Sequence, residues 1–520
     1  MAWKSTLLAT AAVLALAVPD AAEARDSSAS RVKALEAEVA ALKAAVAELK
    51  AAHDSEHNAP APVAAPNPEQ AAEIETLRAQ VADLKTATNA SLGALRTDAL
   101  STTVSIAGGK PTIATSDGRF SATLHGVMQL DTGKYFQDDH LPTQVTARDL
   151  SGGANFRRAR IGMDGKVFGN FDYNILFDFG GGGAEDAGRV QELWVQYSGF
   201  KPWRFRVGAF APPLGLEDAA STNGALFPER PAASDVARGL AGGDTRIGGG
   251  VIGAGDHWFA SAIWTGPLVQ SLNSGATAFN APIFDEQQSY ALRVAGTPLY
   301  GFDWLIHVGA NASVVAQPTD LGPAAAARYA LQLRERPELR VDGTRLVDTG
   351  QIDSKGARAL GLELAAQKQN LTVQGEYFDI RLDRRNPALG ATDPKFSGWY
   401  LEGGWVLTGE RRKYNTTTAA FDAPSVDKPF DPNKNAWGAW ELAARYSTLD
   451  LNYAEQSAIA ANRVRGGQQD IWSLGVNWFP NSAVKFMLDY SNVSIERLNA
   501  AGLKLDQDFQ TVNLRSQVAF

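Results

Sequence analysis

Asn155-Phe-Arg-Arg-Ala-Arg-Ile-Gly-Met-Asp164 switches between apolar and polar or small residues almost one position at a time. A period of two sends successive side chains to opposite faces of a strand, so Ala159, Ile161 and Met163 share one face while Arg158, Arg160 and Asp164 share the other. The pattern returns in Arg204 and Arg206 against Phe205, Val207 and Ala209, and in Val512, Leu514, Val518 and Phe520 against Asn513, Arg515 and Gln517. A water-soluble sandwich would alternate in the same way. Here, however, the polar faces carry arginines and small residues, poor material for a packed interior. Aromatic residues gather near strand ends (Tyr135 and Phe136, Trp203, Trp258, Trp304, Trp399 and Tyr400, Trp478 and Phe479), as they do at a bilayer interface. The chain finishes on an alternating strand ending in Phe520. These features predict an all-β transmembrane barrel, closed so that no strand edge meets lipid.

Candidate strands begin near 119, 154, 171, 189, 203, 245, 257, 288, 303, 357, 371, 395, 437, 470, 484 and 508. That makes about 16 antiparallel strands, a size that leaves an aqueous channel. Connections alternate between short (168–170, 199–202, 368–370, 480–483) and long (212–244, 266–287, 315–356), which read as periplasmic turns and external loops. The connection 409–436 is long where a short turn belongs. It is either a periplasmic insertion or a hairpin of the barrel.

Ahead of the barrel, Lys4, the apolar run Leu7 to Val18 and Ala22-Glu23-Ala24 predict a signal peptide over 1–24. Val32, Leu35, Val39, Leu42, Val46 and Leu49 then form a heptad seam, a coiled-coil segment over 25–58. A Pro/Ala linker (59–69) precedes a second coiled-coil segment, 70–100, with its seam at Ile74, Leu77, Val81 and Leu84. A linker over 101–118 leads to the barrel at 119–520. Two helices folded on each other within one chain would show similar spacing; the narrow seam favours copies associating in parallel as a periplasmic stalk. No later stretch reaches about 18 apolar residues, so no membrane helix is expected.

The 520 residues include no cysteine, which excludes a disulfide scaffold, a thiol catalyst and a thiolate-ligated metal. A net charge of −8 speaks against a general nucleic-acid binder but leaves room for a local basic channel. His53 and His57 lie four apart at a frayed helix end and are a weak metal candidate; no histidine pair of ligand spacing occurs in the barrel. Gly180–Gly183 lacks the Gly-Lys-Ser/Thr of a phosphate loop. No catalytic set can be assembled, so neither an enzyme nor a cofactor is expected.

Arginine is the residue that stands out. Arg157, Arg158 and Arg160 fall on the second strand, Arg204 and Arg206 on the fifth, Arg230 and Arg238 in the loop 212–244, and Arg246 at the start of the next strand. A charge turned to lipid at midplane costs about 2–4 kcal/mol, so Arg158, Arg160, Arg204 and Arg206 belong to the lumen. Strict alternation sends Arg157 outward. Guanidinium groups are always charged and fork-shaped, and a lumenal set of them favours anions. The competing reading has them bracing the wall against Asp164, Glu192, Glu217 and Asp218.

Gly126-Val-Met-Gln-Leu-Asp131, Phe156-Arg-Arg-Ala-Arg160, Glu192-Leu-Trp-Val-Gln-Tyr197, Arg206-Val-Gly-Ala-Phe-Ala-Pro-Pro-Leu-Gly-Leu-Glu217, Phe227-Pro-Glu-Arg230, Leu407-Thr-Gly-Glu-Arg411 and Gly438-Ala-Trp-Glu-Leu-Ala-Ala-Arg445 follow in order. In these stretches the chain resembles the phosphate-selective porin O and P family over roughly 119–520. The resemblance implies a sixteen-stranded barrel in outer-membrane lipid, a homotrimer, and conduction of small anions, phosphate or polyphosphate among them. It also implies that the loop 212–244, with Ser221, Thr222 and Arg230, folds into the lumen, and that Arg157 joins Arg158 on an arginine-lined path; a bulge would reconcile that with alternation. The lysine that the family's inward loop uses for phosphate has no counterpart, since no lysine lies between Pro202 and Ser354. A weakly selective general porin, and a tethering barrel whose stalk contacts peptidoglycan, remain as alternatives.

Overall fold

The computed structural model describes residues 68–520 apart from 108, 138–148, 182–187, 242, 244, 270–286 and 319–329. The expected signal peptide, the first coiled-coil segment, most of the Pro/Ala linker and the His53/His57 pair lie outside these residues. The chain divides into two compact units at Ala94/Leu95. A helix, α1 (Pro68–Ser101), covers the second expected helical segment, and its seam residues Ile74, Leu77, Val81 and Leu84 are exposed.

Sixteen antiparallel strands form the barrel. The first eight are β1 (Ser121–Phe136), β2 (Gly153–Val167), β3 (Phe171–Asp178), β4 (Arg189–Phe200), β5 (Trp203–Phe210), β6 (Arg246–Ala254), β7 (Trp258–Leu268) and β8 (Gln288–Tyr300). The rest are β9 (Trp304–Gln317), β10 (Ile352–Lys368), β11 (Leu371–Arg384), β12 (Lys395–Val406), β13 (Ala439–Tyr453), β14 (Val464–Phe479), β15 (Val484–Glu496) and β16 (Gln507–Ala519). Pairing of β16 with β1, Gln510↔Phe136 through Ala519↔Val127, closes the cylinder. The expected linker 101–118 is instead an antiparallel hairpin, Thr102–Ala107 with Lys110–Thr115, paired onto the start of β1. Its alternation, Thr-Thr-Val-Ser-Ile-Ala, is short but strand-like.

Outward positions carry Ile161, Val207, Leu362, Leu401, Leu474 and Leu488, all exposed to the surroundings of the barrel, as hydrocarbon contact requires. Two aromatic belts bound them. On β12 the outward Trp399 and Trp405 are six positions apart, about 20 Å along the strand. Trp399 packs on Tyr446 at 5.3 Å, and in the lower belt Trp440 stacks on Trp478 at 5.5 Å. Tyr135, Tyr400 and Phe479 do not join the belts: each follows or precedes an outward aromatic and so points inward, buried.

The lumen is filled unevenly. The loop between β5 and β6 crosses it, carrying a short helix, α2 (Leu216–Ala219), and a longer one, α3 (Ala232–Ala241). The backbone N–H groups of Leu216 and Glu217 donate to Glu376 on the far wall at 2.9 and 3.1 Å. Lys485 donates to Ala225 O at 2.6 Å, Asn477 to Leu226 O at 3.0 Å and Arg445 to Glu229 O at 2.9 Å. The apolar face of α3 (Val236, Ala237, Leu240) packs with Leu333, Leu339 and Leu346 of the β9–β10 connection and with inward Ile380, Leu382, Phe396, Leu449 and Val493. One side of the barrel interior is therefore a dry core, which leaves the water path to the other side.

The long connection 407–438 is an insertion at the short-turn end, not a missing pair of barrel strands. Its hairpin, Arg412–Asn415 with Ala420–Pro424, turns up into the lumen. Arg412 is clamped by Glu441 at 2.6 and 2.8 Å and donates to Gly224 O of the inward loop at 2.6 Å. Arg293 donates to the carbonyls of Thr418 and Ala419 at 2.6 and 2.8 Å, and Tyr414 meets His307 Nδ1 at 2.8 Å.

Candidate functional site: an arginine-lined cavity in the lumen

Arg157 owes its position to a bulge. Gln129 of β1 opposes Arg158 and Leu130 opposes Phe156, so Arg157 is the extra residue of β2. The bulge lets two consecutive arginines face inward, both buried. Strict alternation is thereby corrected for Arg157, while Ile161 and Met163 stay on the exposed outer face.

A cavity of about 340 Å³ opens between β2–β7, the inward loop and the turn of the lumenal insertion. Nine arginines line it against three carboxylates, Glu192, Asp218 and Asp235. Of the residues singled out by sequence, Arg157, Arg158, Arg160, Arg204, Arg206, Thr222, Arg230 and Arg238 come together here. Ser221 lines an adjoining smaller space with Arg158, Thr222 and Arg230. Arg246 does not line the cavity: it donates to Gly266 O at 3.3 Å and to Gly239 O at 3.0 Å, bracing the end of α3.

The arginines divide into two kinds. Some are held by carboxylates: Arg157 by Glu229 at 2.6 and 2.9 Å, Arg160 by Asp178 at 2.9 Å, Arg230 by Asp218 at 3.7 Å, and Arg238 by Asp218 and Asp235. Arg158, Arg204 and Arg206 have no acidic partner among the described residues. Arg158 Nη1 donates to Gln129 Oε1 at 2.6 Å, while its buried Nε makes no hydrogen bond among the described residues. Arg204 donates to Thr417 O at 3.2 Å. Arg206 donates to Gln196 Oε1 and lies 3.9 Å over the Trp194 ring. Gly208, at φ +139°, makes room for that stack, since a Cβ there would collide with the Trp194 backbone.

Bracing and an open cationic surface thus coexist. Of the four carboxylates considered for bracing, only Asp218 meets a cavity arginine. Asp164 faces His125, Glu192 accepts from Asn174 and Trp194, and Glu217 accepts from Gln374. Beside Asp218, the acids that hold cavity arginines are Asp178, Glu229 and Asp235, and Glu229 is shared by Arg157, Arg340 and Arg515. Burial opposes the charge on Glu229, but Arg157 and Arg340 outweigh it and hold the carboxyl well below its ordinary range.

Arg189, Arg340, Thr417 and Thr418 also line the cavity and were not singled out by sequence. Arg340 closes the charge-dense run Arg334-Glu-Arg-Pro-Glu-Leu-Arg340, a signal within a long loop; the threonines sit in the connection that was too long for a turn. Lys485 is a lysine that reaches the inward loop from outside it, but its ammonium is taken by Ala225 O and it does not line the cavity.

Next to Arg340, at 3.9 Å, Glu335 is pushed up to about 8 by burial and by the neighbouring Asp235 carboxylate. It is therefore protonated near neutrality. Its folded value lies above the ordinary 4.5, so the docked loop loses stability as pH rises between 4.5 and about 8, and the new negative charge weakens the local positive field. Anion preference, read as a reversal potential in a salt gradient, is expected to decline from about pH 7 to about pH 9 and to stay level in Glu335→Gln. A decline of equal size in the variant would exclude Glu335 as its source.

The model of the family described as Phosphate-selective porin O and P matches residues 128–520. This chain belongs to that family. The porin is 28% identical over 428 residues to Porin O of Pseudomonas aeruginosa, covering 78% of this chain and 90% of that one. An uncharacterized protein of Caulobacter vibrioides is 27% identical over 420 residues, covering 77% of this chain and 76% of its own length. Among solved structures, OprB of Pseudomonas putida aligns at 9% identity with a TM-score of 0.47, covering 78% of this chain and 95% of that one. The anion-selective porin from Comamonas acidovorans aligns at 12% identity with a TM-score of 0.44, covering 77% and 100%. The sixteen-stranded closed wall and the family together place the porin in the outer membrane, and no described helix is long and apolar enough to cross a membrane.

Proposed function

We propose that this porin passes small anions by diffusion and that the arginine cavity is its selective constriction, with phosphate as a favoured solute. The observation that carries this reading is the excess of nine arginines over three carboxylates around one lumenal cavity, with Arg158, Arg204 and Arg206 lacking acidic partners. Arg158 has an unengaged buried donor, and a phosphate oxygen would satisfy it. Arg157, Arg160, Arg230 and Arg238 extend the positive wall, Thr222 adds a hydroxyl, and Ser221 supports the loop beside it. Family membership supports association as a homotrimer, and the exposed seam of α1 suits a stalk through which copies associate on the periplasmic side.

Planar-bilayer recording tests the proposal. In a chloride gradient the reversal potential is expected to take the sign of anion flow, and phosphate at about 1 mM or below, corresponding to binding by about 4 kcal/mol or more, is expected to block chloride current. An anion preference without block would point to a weakly selective channel, favoured by the absence of lysine from the cavity lining. No preference at all would remove the constriction reading.

A further inference from the structure

The outer surface of the barrel carries a second cationic cluster, remote from the channel. Arg358 on β10, Arg381 on β11 and Lys395 on β12 fall on the same face as the exposed Leu360, Leu362, Tyr377, Trp399 and Leu401. The register sets Arg358 directly opposite Arg381, and Arg381 directly opposite Lys395. Three cations therefore stand side by side across three strands. Directly opposed like charges destabilise a ladder, so the row favours any further counter-charge. Arg381 bonds Asp379 at 2.7 Å, whereas Arg358 and Lys395 make no ion pair or side-chain hydrogen bond among the described residues. Asp379 and Asp383, two positions to either side of Arg381 on the same face, offset part of the row, and farther round the same rim the outward residues include Asp450 on β13 and Asp470 on β14.

The level of the cluster says what could supply further negative charge to Arg358 and Lys395. Arg381 lies four positions beyond Tyr377, which is paired with Trp399 in the upper aromatic belt, so the cations stand about 13 Å along the strand above that belt. At this level the interior positions are the fully buried Ile380, Leu382 and Phe396. Apolar inside and charged outside reverses the midplane pattern, which puts this surface above the hydrocarbon, among headgroups. Below it Leu360, Leu362 and Leu364 form an exposed apolar strip.

We propose that Arg358, Arg381 and Lys395 dock the phosphorylated headgroup of an outer-leaflet glycolipid, with its acyl chains laid along the leucine strip. Guanidinium and ammonium groups bind phosphate monoesters through charge-assisted hydrogen bonds, and the aromatic belt holds the headgroup boundary in register. The site depends on the barrel lying in the outer membrane and is independent of what the channel conducts.

The test uses the full-length porin in detergent, with bisphosphorylated lipid A added and bound lipid counted by native mass spectrometry. Wild type is expected to retain lipid A; R358Q/R381Q/K395Q is expected to lose at least about tenfold in apparent affinity, or about 1.4 kcal/mol. Lipid A stripped of its phosphates should bind wild type no better than intact lipid binds the variant. Single-channel conductance of the variant should match wild type, which shows that it folds; if it does not, R358Q/K395Q, which keeps the Arg381–Asp379 pair, takes its place. Undiminished retention by the variants, or equal binding of the stripped lipid, overturns the proposal. Displacement of lipid A by equimolar inorganic phosphate overturns it as well, in favour of a free-anion site.

Discussion

Arg158→Gln is expected to weaken phosphate block of the chloride current by roughly 10- to 100-fold while leaving the heat stability of the barrel unchanged. The two halves of this expectation come from the same geometry. Among the described residues Arg158 has no carboxylate partner, only Gln129, and is flanked by Arg157 and Arg160, which do have one each. Removing its charge costs the solute a charge-assisted hydrogen bond, worth about 1.5–3 kcal/mol. The protein loses no ion pair, and crowding among like charges is relieved. Phosphate titrations on wild type and variant in the same bilayer, with the temperature of conversion to the unfolded electrophoretic band as control, measure both. Equal block in the two proteins would remove Arg158 from the anion path.

Glu229→Ala should act in the opposite way, with a large loss of stability. Its carboxylate is shared by Arg157, Arg340 and Arg515 at 2.6, 3.1 and 3.0 Å. Arg340 keeps Asp235 and Arg515 keeps Asp131, but Arg157 loses its acidic partner and remains a buried charge. Breaking a buried pair from one side costs about 3–5 kcal/mol. The loss falls on the inward loop, which is pinned at Phe227–Arg230 by Arg445 and Arg515, and not on the ladders of the barrel. Open-channel noise is expected to rise and the unfolding temperature to fall. A quiet channel of wild-type stability would show that the remaining bonds hold the loop unaided.

The alternation in Asn155–Asp164 marks a strand with one apolar and one polar face, and it took the arginines of the polar faces, the aromatic residues at strand ends and the final strand ending in Phe520 to make that strand a membrane one. The same period located all sixteen strands, since each must cross the same thickness of lipid and many carry aromatic residues near their ends. It failed at Arg157, where one extra residue in β2 flips the facing of its side chain; a bulge is a property of the pairing with β1 and leaves no mark in β2 alone. It also failed over 101–118, where two six-residue strands were too short to separate from a linker. The arginines announced themselves by number. Which of them are neutralised was illegible, because Glu229 lies 72 positions from Arg157 and Asp131 lies 384 from Arg515.

By itself the sequence determined a closed barrel, its strand number and its lipid-facing side, since period and polarity are local and the bilayer judges each strand separately. Only the tertiary structure decided that one side of the interior is a dry core, that an over-long turn enters the lumen from the opposite end, and that Arg246 is a brace while Arg158 stays without a counter-ion. Those outcomes depend on loops folding back across a cylinder sixteen strands in circumference, and the partners they meet there are set by closure of the wall, which brings together positions that no sequence window contains.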